Sequence, residues 1–185
     1  MDYAVPKKYL FDIEEFYAVA ARNTDKCLEL IEGEIIEMGK IGDKHAGCVD
    51  CLTLLFATQI GKLARLRVQN PVYLSDLSEP IPDLSLLRFR EDFYRYSRPT
   101  PSDVLLLIEV ANTSLKYDRE TKMPLYGFYQ IPEVWLVNLK ANIVTVYREP
   151  QQRGYAKQQD FKPGEQLEPH QLSHIKIAVS AIFGL

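Results

Sequence analysis

At 185 residues, with 46% hydrophobic and 25% charged residues, the chain has the size and composition of one globular domain with a proper core. No run of about 18 apolar residues occurs, which excludes a transmembrane helix. A formal net charge of −3 and a pI of about 5.7 exclude a long non-specific nucleic-acid track, though not a site built from carboxylates.

The elements follow in order. Met1 to Tyr9 has no apolar core of a signal peptide, so a cytoplasmic protein with no membrane association is expected. Residues 11–22 carry apolar groups at helical spacing, with Asp12 placed to cap them. Cys27 to Met38 holds two short apolar runs around Glu32-Gly33 and reads as a β-hairpin. A long helix is predicted over 43–64, where Ala46, Val49, Leu52, Phe56 and Ile60 share one face and Asp43 can cap the start.

Strands are predicted near 66–74 and 84–88, the second directly after Asp83, followed by a charged, aromatic loop over 91–101. Val104 to Val110 is a near-continuous aliphatic run, the pattern of a strand covered on both faces at a sheet centre. Residues 115–129 have helical character, with Pro124 demanding a bend or a late start. Glu133–Leu139 and Ile143–Tyr147 form a second hairpin, and a last strand is placed near 174–179. No linker or repeat divides the chain, so one domain is expected over 1–185 as a mixed α/β sandwich.

Cys27, Cys48 and Cys51 make an odd, low count that suggests reduced thiols. Cys48-Val-Asp-Cys51 spells C-x-x-C with His45 nearby, but no second such pair completes a zinc site, and small buried cysteines are the favoured reading. Two basic clusters stand out: Lys62, Arg65 and Arg67, and Arg88, Arg90, Arg95 and Arg98. Either is a solvated surface or a phosphate-contacting one.

The chemistry concentrates between Ile81 and Tyr126. Pro82-Asp83 alone signals little beyond a turn or cap. Glu109 is different, because a carboxylate closing a doubly covered strand is expensive to bury unless paired or metal-bound. Lys122 follows on the predicted helix, where Asp118, Lys122 and Tyr126 share a stripe; an intrahelical Asp118–Lys122 ion pair is the alternative there.

Together, Ile81-Pro-Asp-Leu-Ser-Leu-Leu87, Asp103 to Ser114, Tyr117 to Tyr126 and Ile131 to Leu139 resemble the Uma family of restriction-endonuclease-like proteins. That family belongs to the PD-(D/E)xK nuclease superfamily. The resemblance reaches back to His45 and the 28–38 hairpin and forward to Ile182-Phe-Gly184, covering nearly the whole chain. It implies a restriction-endonuclease-like mixed β-sheet flanked by helices, with Asp83 and Glu109 as metal-binding acids. The superfamily's usual lysine position is Ala111 here, so the resemblance moves the lysine role to Lys122 on the following helix. Glu34 and His45 are the further candidates: Glu34 as an added carboxylate, His45 as a site residue or a locally bonded first-turn residue.

The expected chemistry is phosphodiester hydrolysis in DNA with magnesium, or manganese, held by Asp83, Glu109 and the Val110 carbonyl, and with Lys122 orienting water or stabilising charge. Two rivals are a non-catalytic DNA-binding or assembly module and a small-molecule metal hydrolase. A homodimer is expected, with Trp135, Tyr147 and Phe183 as either its face or core residues.

Overall fold

The computed structural model describes residues 7–185; the first six residues of the segment read as lacking a signal peptide lie outside the described residues. Helix α1 (Ile13–Ala20) starts at the Asp12 cap: the Asp12 carboxylate accepts from the Glu15 N–H at 2.9 Å, and Glu15 accepts from the Asp12 N–H at 3.1 Å. That reciprocal capping box satisfies two free donors.

Strands β1 (Leu28–Ile31) and β2 (Glu34–Glu37) form the expected hairpin, with Glu32 and Gly33 at φ of 49° and 79° as a type I′ turn requires. Helix α2 (Asp43–Ile60) ends before residue 64 because Gly61 turns left-handed, at φ of 50°. Gly42, rather than Asp43, is its N-cap; Asp43 sits in the first turn, where its charge favours the helix dipole.

Strand β3 (Ala64–Val68) is shorter than the 66–74 strand expected. Gln69 turns left-handed, and the chain beyond bonds to other loops, with Val72 N–H donating to Pro80 O and Tyr73 N–H to Pro99 O. Then come β4 (Leu84–Arg88) and the wholly buried β5 (Val104–Ala111). The predicted 115–129 helix is a composite: α3 (Leu115–Tyr117), a π-helical turn (Asp118–Lys122) and α4 (Met123–Phe128). Pro124 occupies the first turn of α4 inside a continuous helical run, and the π turn just before it absorbs the irregularity that the missing N–H creates.

Strands β6 (Glu133–Asn138), β7 (Ile143–Gln151) and β8 (Gly154–Phe161) complete the sheet. Sequence patterning does not reveal β8, an edge strand whose middle (Lys157-Gln-Gln-Asp160) is polar and exposed. The predicted 174–179 strand shrinks to β10 (Ile177–Ala178), paired with β9 (Gln166–Leu167) and followed by α5 (Val179–Ile182).

The six-stranded sheet has the order β3-β4-β5-β6-β7-β8, antiparallel throughout except for the parallel β5–β6 pair. The parallel pair needs a crossover, and the 115–128 helical segment supplies it. Helices α2 and α5 cover one face against Leu106, Ile108 and Val110 of β5. Met123, Leu125 and Tyr126 cover the other against Leu107 and Ala111, the neighbours of Glu109 on that side. The expected mixed sheet flanked by helices is therefore present.

Trp135 and Tyr147 are core residues and Phe183 packs against the core, so none of the three offers an exposed dimer face. No helix among the described residues is long and apolar enough to cross a membrane.

Helix α4 also meets the β7–β8 turn closely: a Cβ on Gly127 would lie 2.0 Å from the Gly154 carbonyl oxygen. Backbone cannot yield as a side-chain tip does. Gly127→Ala is thus expected to destabilise the fold by about 3 kcal/mol, read as a lower urea midpoint; a loss under ~0.5 kcal/mol would contradict that contact.

Candidate active site

The sheet brings the two acids together through register. Leu84 pairs with Ile108 and Ser85 with Leu107, so one further step sets Asp83 opposite Glu109. On the outer side, the Gln69 N–H donates to the Asp83 carbonyl at 2.9 Å. Gln69, Asp83 and Glu109 thus form a row across the ends of three strands.

Asp83 is held from three directions. Its Oδ2 accepts from the Val110 N–H at 2.8 Å and lies 3.1 Å from His45 Nε2, while Oδ1 accepts from Gln69 Nε2 at 3.2 Å. His45 reaches Asp83 from the first turn of α2. The hydrogen bond to Asp83 raises the imidazole above its ordinary value, burial opposes this, and the Asp83 charge adds to it. The other ring nitrogen, Nδ1, is buried with no partner among the described residues.

Glu109 is 3% exposed and Lys122 0%. Lys122 Nζ lies 3.3 Å from Glu109 Oε1 and 3.1 Å from Glu29 Oε2, and the Tyr126 hydroxyl donates to Glu109 Oε1 at 2.5 Å. Burial pushes the Glu109 carboxyl from its ordinary 4.5 up to about 8; Lys122 pulls it down, and the Asp118 and Asp83 charges add to the rise. Burial lowers the Lys122 ammonium, but Glu109, Glu29 and Asp118 outweigh it and hold it above 10.5. Lys122 therefore stays a cation. The Asp118–Lys122 ion pair considered from spacing gives way to pairs with Glu29 and Glu109.

These groups border a cavity of about 330 Å³ lined by Asp83, Glu109, Asp118, His45, Gln69 and Val110 among others. Lys122 does not line it; it stands behind Glu109. Asp118 accepts from the Ser114 hydroxyl at 2.7 Å, and burial raises its carboxyl.

Glu34 does not join the group. It is exposed and pairs with Lys8 at 2.6 Å. The acid that the hairpin contributes is Glu29, fully buried in β1, whose carboxylate also accepts from the Ile81 N–H at 3.1 Å and the Tyr117 hydroxyl at 3.4 Å. The signal for Glu29 was the one that marks Glu109: a lone carboxylate inside an apolar strand, here Leu28-Glu-Leu-Ile31. Glu34 and Glu37 instead occupy strand ends.

Cys48 packs in the α2 core, where burial raises its thiol to about 12, and the Cys51 thiol donates to the Ala181 carbonyl at 3.1 Å. Both act as small packing residues.

The ionisation pattern predicts a pH trend. Folded Glu109 binds its proton more tightly than the unfolded carboxyl, so stability is lost as pH rises from about 4.5 to about 8. His45 acts in the same direction, its contribution fading as pH climbs through its raised folded value. Lys122 stays charged in this window. The melting temperature in chelator is therefore expected to fall by roughly 5 °C or more between pH 5 and pH 8.5, with a shallower slope in Glu109→Gln. A melting temperature that rises with pH would contradict this ionisation pattern.

A solved structure described as a "putative nuclease belonging to DUF820" from Anabaena variabilis ATCC 29413 shares the fold at TM-score 0.73 and 19% identity. The match covers 94% of this chain and 98% of that one. No curated protein matches the chain. The family model Uma2, described as "Putative restriction endonuclease", matches residues 13–180, and with nearly the whole chain so covered, the protein belongs to the Uma2 family.

Proposed function

We propose that the protein is a divalent-metal-dependent endonuclease that hydrolyses phosphodiester bonds in DNA. One observation carries the reading: two carboxylates, Asp83 and Glu109, from neighbouring strand ends border one cavity, each fixed in place by hydrogen bonds. Asp83 and Glu109 are the ligands we assign to magnesium or manganese, and Val110, the carbonyl ligand of our reading, borders the same cavity.

The donor set is all oxygen, as a hard cation prefers. Among the described residues no group of three or more His, Cys, Asp and Glu is arranged for a metal, so the fit is to an ion that keeps most of its waters, as magnesium does. Burial keeps the Glu109 carboxyl raised even with the Lys122 ammonium beside it, so a cation bound on the cavity side would stabilise a carboxylate that is costly to bury. Bound there, the ion would supply Lewis-acid charge to the phosphodiester and make water more acidic.

The chain's own residues orient the pair of acids. His45 and the Val110 N–H fix Asp83 through Oδ2. Tyr126 and Lys122 fix Glu109 through Oε1, leaving Oε2 without a protein partner among the described residues. Lys122 is a positioning residue in this reading, acting through Glu109 rather than touching substrate. A two-fold homodimer, the commonest symmetric assembly, is the quaternary state we propose, and light scattering reads it directly.

One observation favours a second reading, a non-catalytic binding module on the same fold: Lys122 is closed between Glu29 and Glu109, away from the cavity. Incubation with supercoiled plasmid and single-stranded circular DNA, in magnesium or manganese, separates the two. Metal-dependent nicking that vanishes in an Asp83→Ala, Glu109→Ala variant supports the nuclease. No cleavage, together with no metal binding by calorimetry, supports the module.

A further inference from the structure

Outside the cavity just described, a second hollow of about 360 Å³ lies beside β3, bordered by Arg67, Tyr94, Arg95, Tyr96, Ser97 and Arg98, with no carboxylate among its lining residues. It is close to the acids by register. Arg67 pairs with Ser85, one same-face step along the strands from the Gln69–Asp83 position.

Its charge is poorly compensated. Arg67 is half-buried, yet its guanidinium donates to a neutral group, Asn70 Oδ1, at 3.1 Å, and burial holds it below its ordinary value. Arg95 is exposed beside it. Arg98 differs, since it pairs with Glu79 at 3.2 Å. Half-burying a guanidinium without an anion is costly, and a ligand phosphate removes that cost while matching the planar fork.

The same loop holds aromatic rings out in solvent. Tyr96 is 83% exposed and Phe93 63%. Phe93 and Tyr94 both have positive φ, 54° and 57°, conformations that cost energy for bulky residues. Tyr94 anchors this geometry with its hydroxyl on the Arg88 carbonyl at 2.8 Å. Arg65 stiffens the loop from below, its guanidinium lying 3.9 Å from the Phe89 ring centre and 3.8 Å from that of Phe93. A strained loop that keeps a tyrosine outside, next to arginines with no carboxylate partner among the described residues, has the composition of a base-stacking platform on a phosphate track.

We propose that this hollow is a nucleic-acid subsite in which Arg67 and Arg95 take a backbone phosphate and Tyr96 stacks on an unpaired base. The strand is then single-stranded where it approaches the acids, because a duplex hides the base faces that Tyr96 needs. This inference rests on the nuclease reading for its substrate, and it names the form of that substrate.

Fluorescence anisotropy in chelator tests it, using a labelled mixed-sequence 20-nucleotide single strand and the matching duplex, with the full chain, Tyr96→Ala, Arg95→Gln and Arg67→Gln/Arg95→Gln. Single strand should bind at least ~10-fold tighter than duplex, and Tyr96→Ala should lose about 10-fold on single strand alone. The double arginine variant should also lower the salt slope by about 1.4, the release expected for two phosphate contacts on a single strand. Tyr96 and Arg95 are exposed, so their variants keep the test valid should Arg67→Gln unfold. Equal binding of both substrates, or single-strand binding unchanged in the Tyr96 and Arg95 variants, overturns the subsite even if plasmid nicking succeeds. Variant-sensitive binding by a protein that cuts nothing supports the subsite and overturns the nuclease reading instead.

Discussion

Glu109→Gln is expected to lower metal-dependent cleavage on the order of 10³-fold or more, the loss of several kcal/mol of charge stabilisation when a ligand of the ion is removed. Glutamine keeps the shape and can still accept from Tyr126, so the sheet and the 115–128 segment should remain folded. What it cannot do is carry charge into the cavity beside Asp83. Asp83→Asn should behave alike, although His45 and the Val110 N–H would continue to hold the side chain. Initial nicking rates with magnesium titrations measure the effect, and calorimetry should show the affinity for the ion falling in parallel. A Glu109→Gln enzyme within tenfold of the parent would remove Glu109 from the ligand set.

Lys122→Met should destabilise the protein by about 3–5 kcal/mol, the cost of leaving buried charge without its partner. The reason is local: Lys122 is the cation between Glu29 and Glu109, all three are buried, and the two carboxylates come from distant parts of the chain. Adding Glu29→Gln to Lys122→Met should restore part of the loss, because the Glu29 carboxylate that faced Lys122 is then gone. Urea denaturation of the single and double variants closes the cycle. Removing Lys122 also removes what pulls the Glu109 carboxyl down, so that carboxyl should rise beyond about 8. In chelator, the stability of Lys122→Met should consequently keep falling to a more alkaline pH than that of the parent, a displacement that mere loosening of the fold does not produce. An unchanged pH profile combined with unchanged stability would contradict the buried bridge.

Of the two candidate acids, Glu109 was legible because burial of a carboxylate is a strong chemical statement, whereas Asp83 was legible only through the family resemblance. Val104-Leu-Leu-Leu-Ile-Glu109 reads as a doubly covered strand from composition alone, and the structure buries all of β5. Helix α1 was legible through Asp12 and Glu15, and the first hairpin through Glu32-Gly33, since caps and tight turns depend on residues within a few positions of one another. Strand β8 was not legible, because an edge strand has little to bury and so carries no apolar alternation.

The partner of Lys122 lay beyond such reasoning. Local pattern marks Glu29, alone among the apolar residues of β1, as an acid set for burial, but it does not say which cation meets it. Both sides of β1 are covered, Leu30 by the α1 cluster and Ile31 by the cluster beneath α4, so alternation does not mark which segment each face meets. Docking of the hairpin sets the Glu29 side chain against Lys122 and the Ile81 N–H, while Glu34 meets solvent and Lys8. Periodicity, caps and turn residues are short-range properties that the chain carries in its order of residues. Which buried charges neutralise each other depends on contacts between segments far apart in that order, and these exist only once the sheet and its crossover have closed.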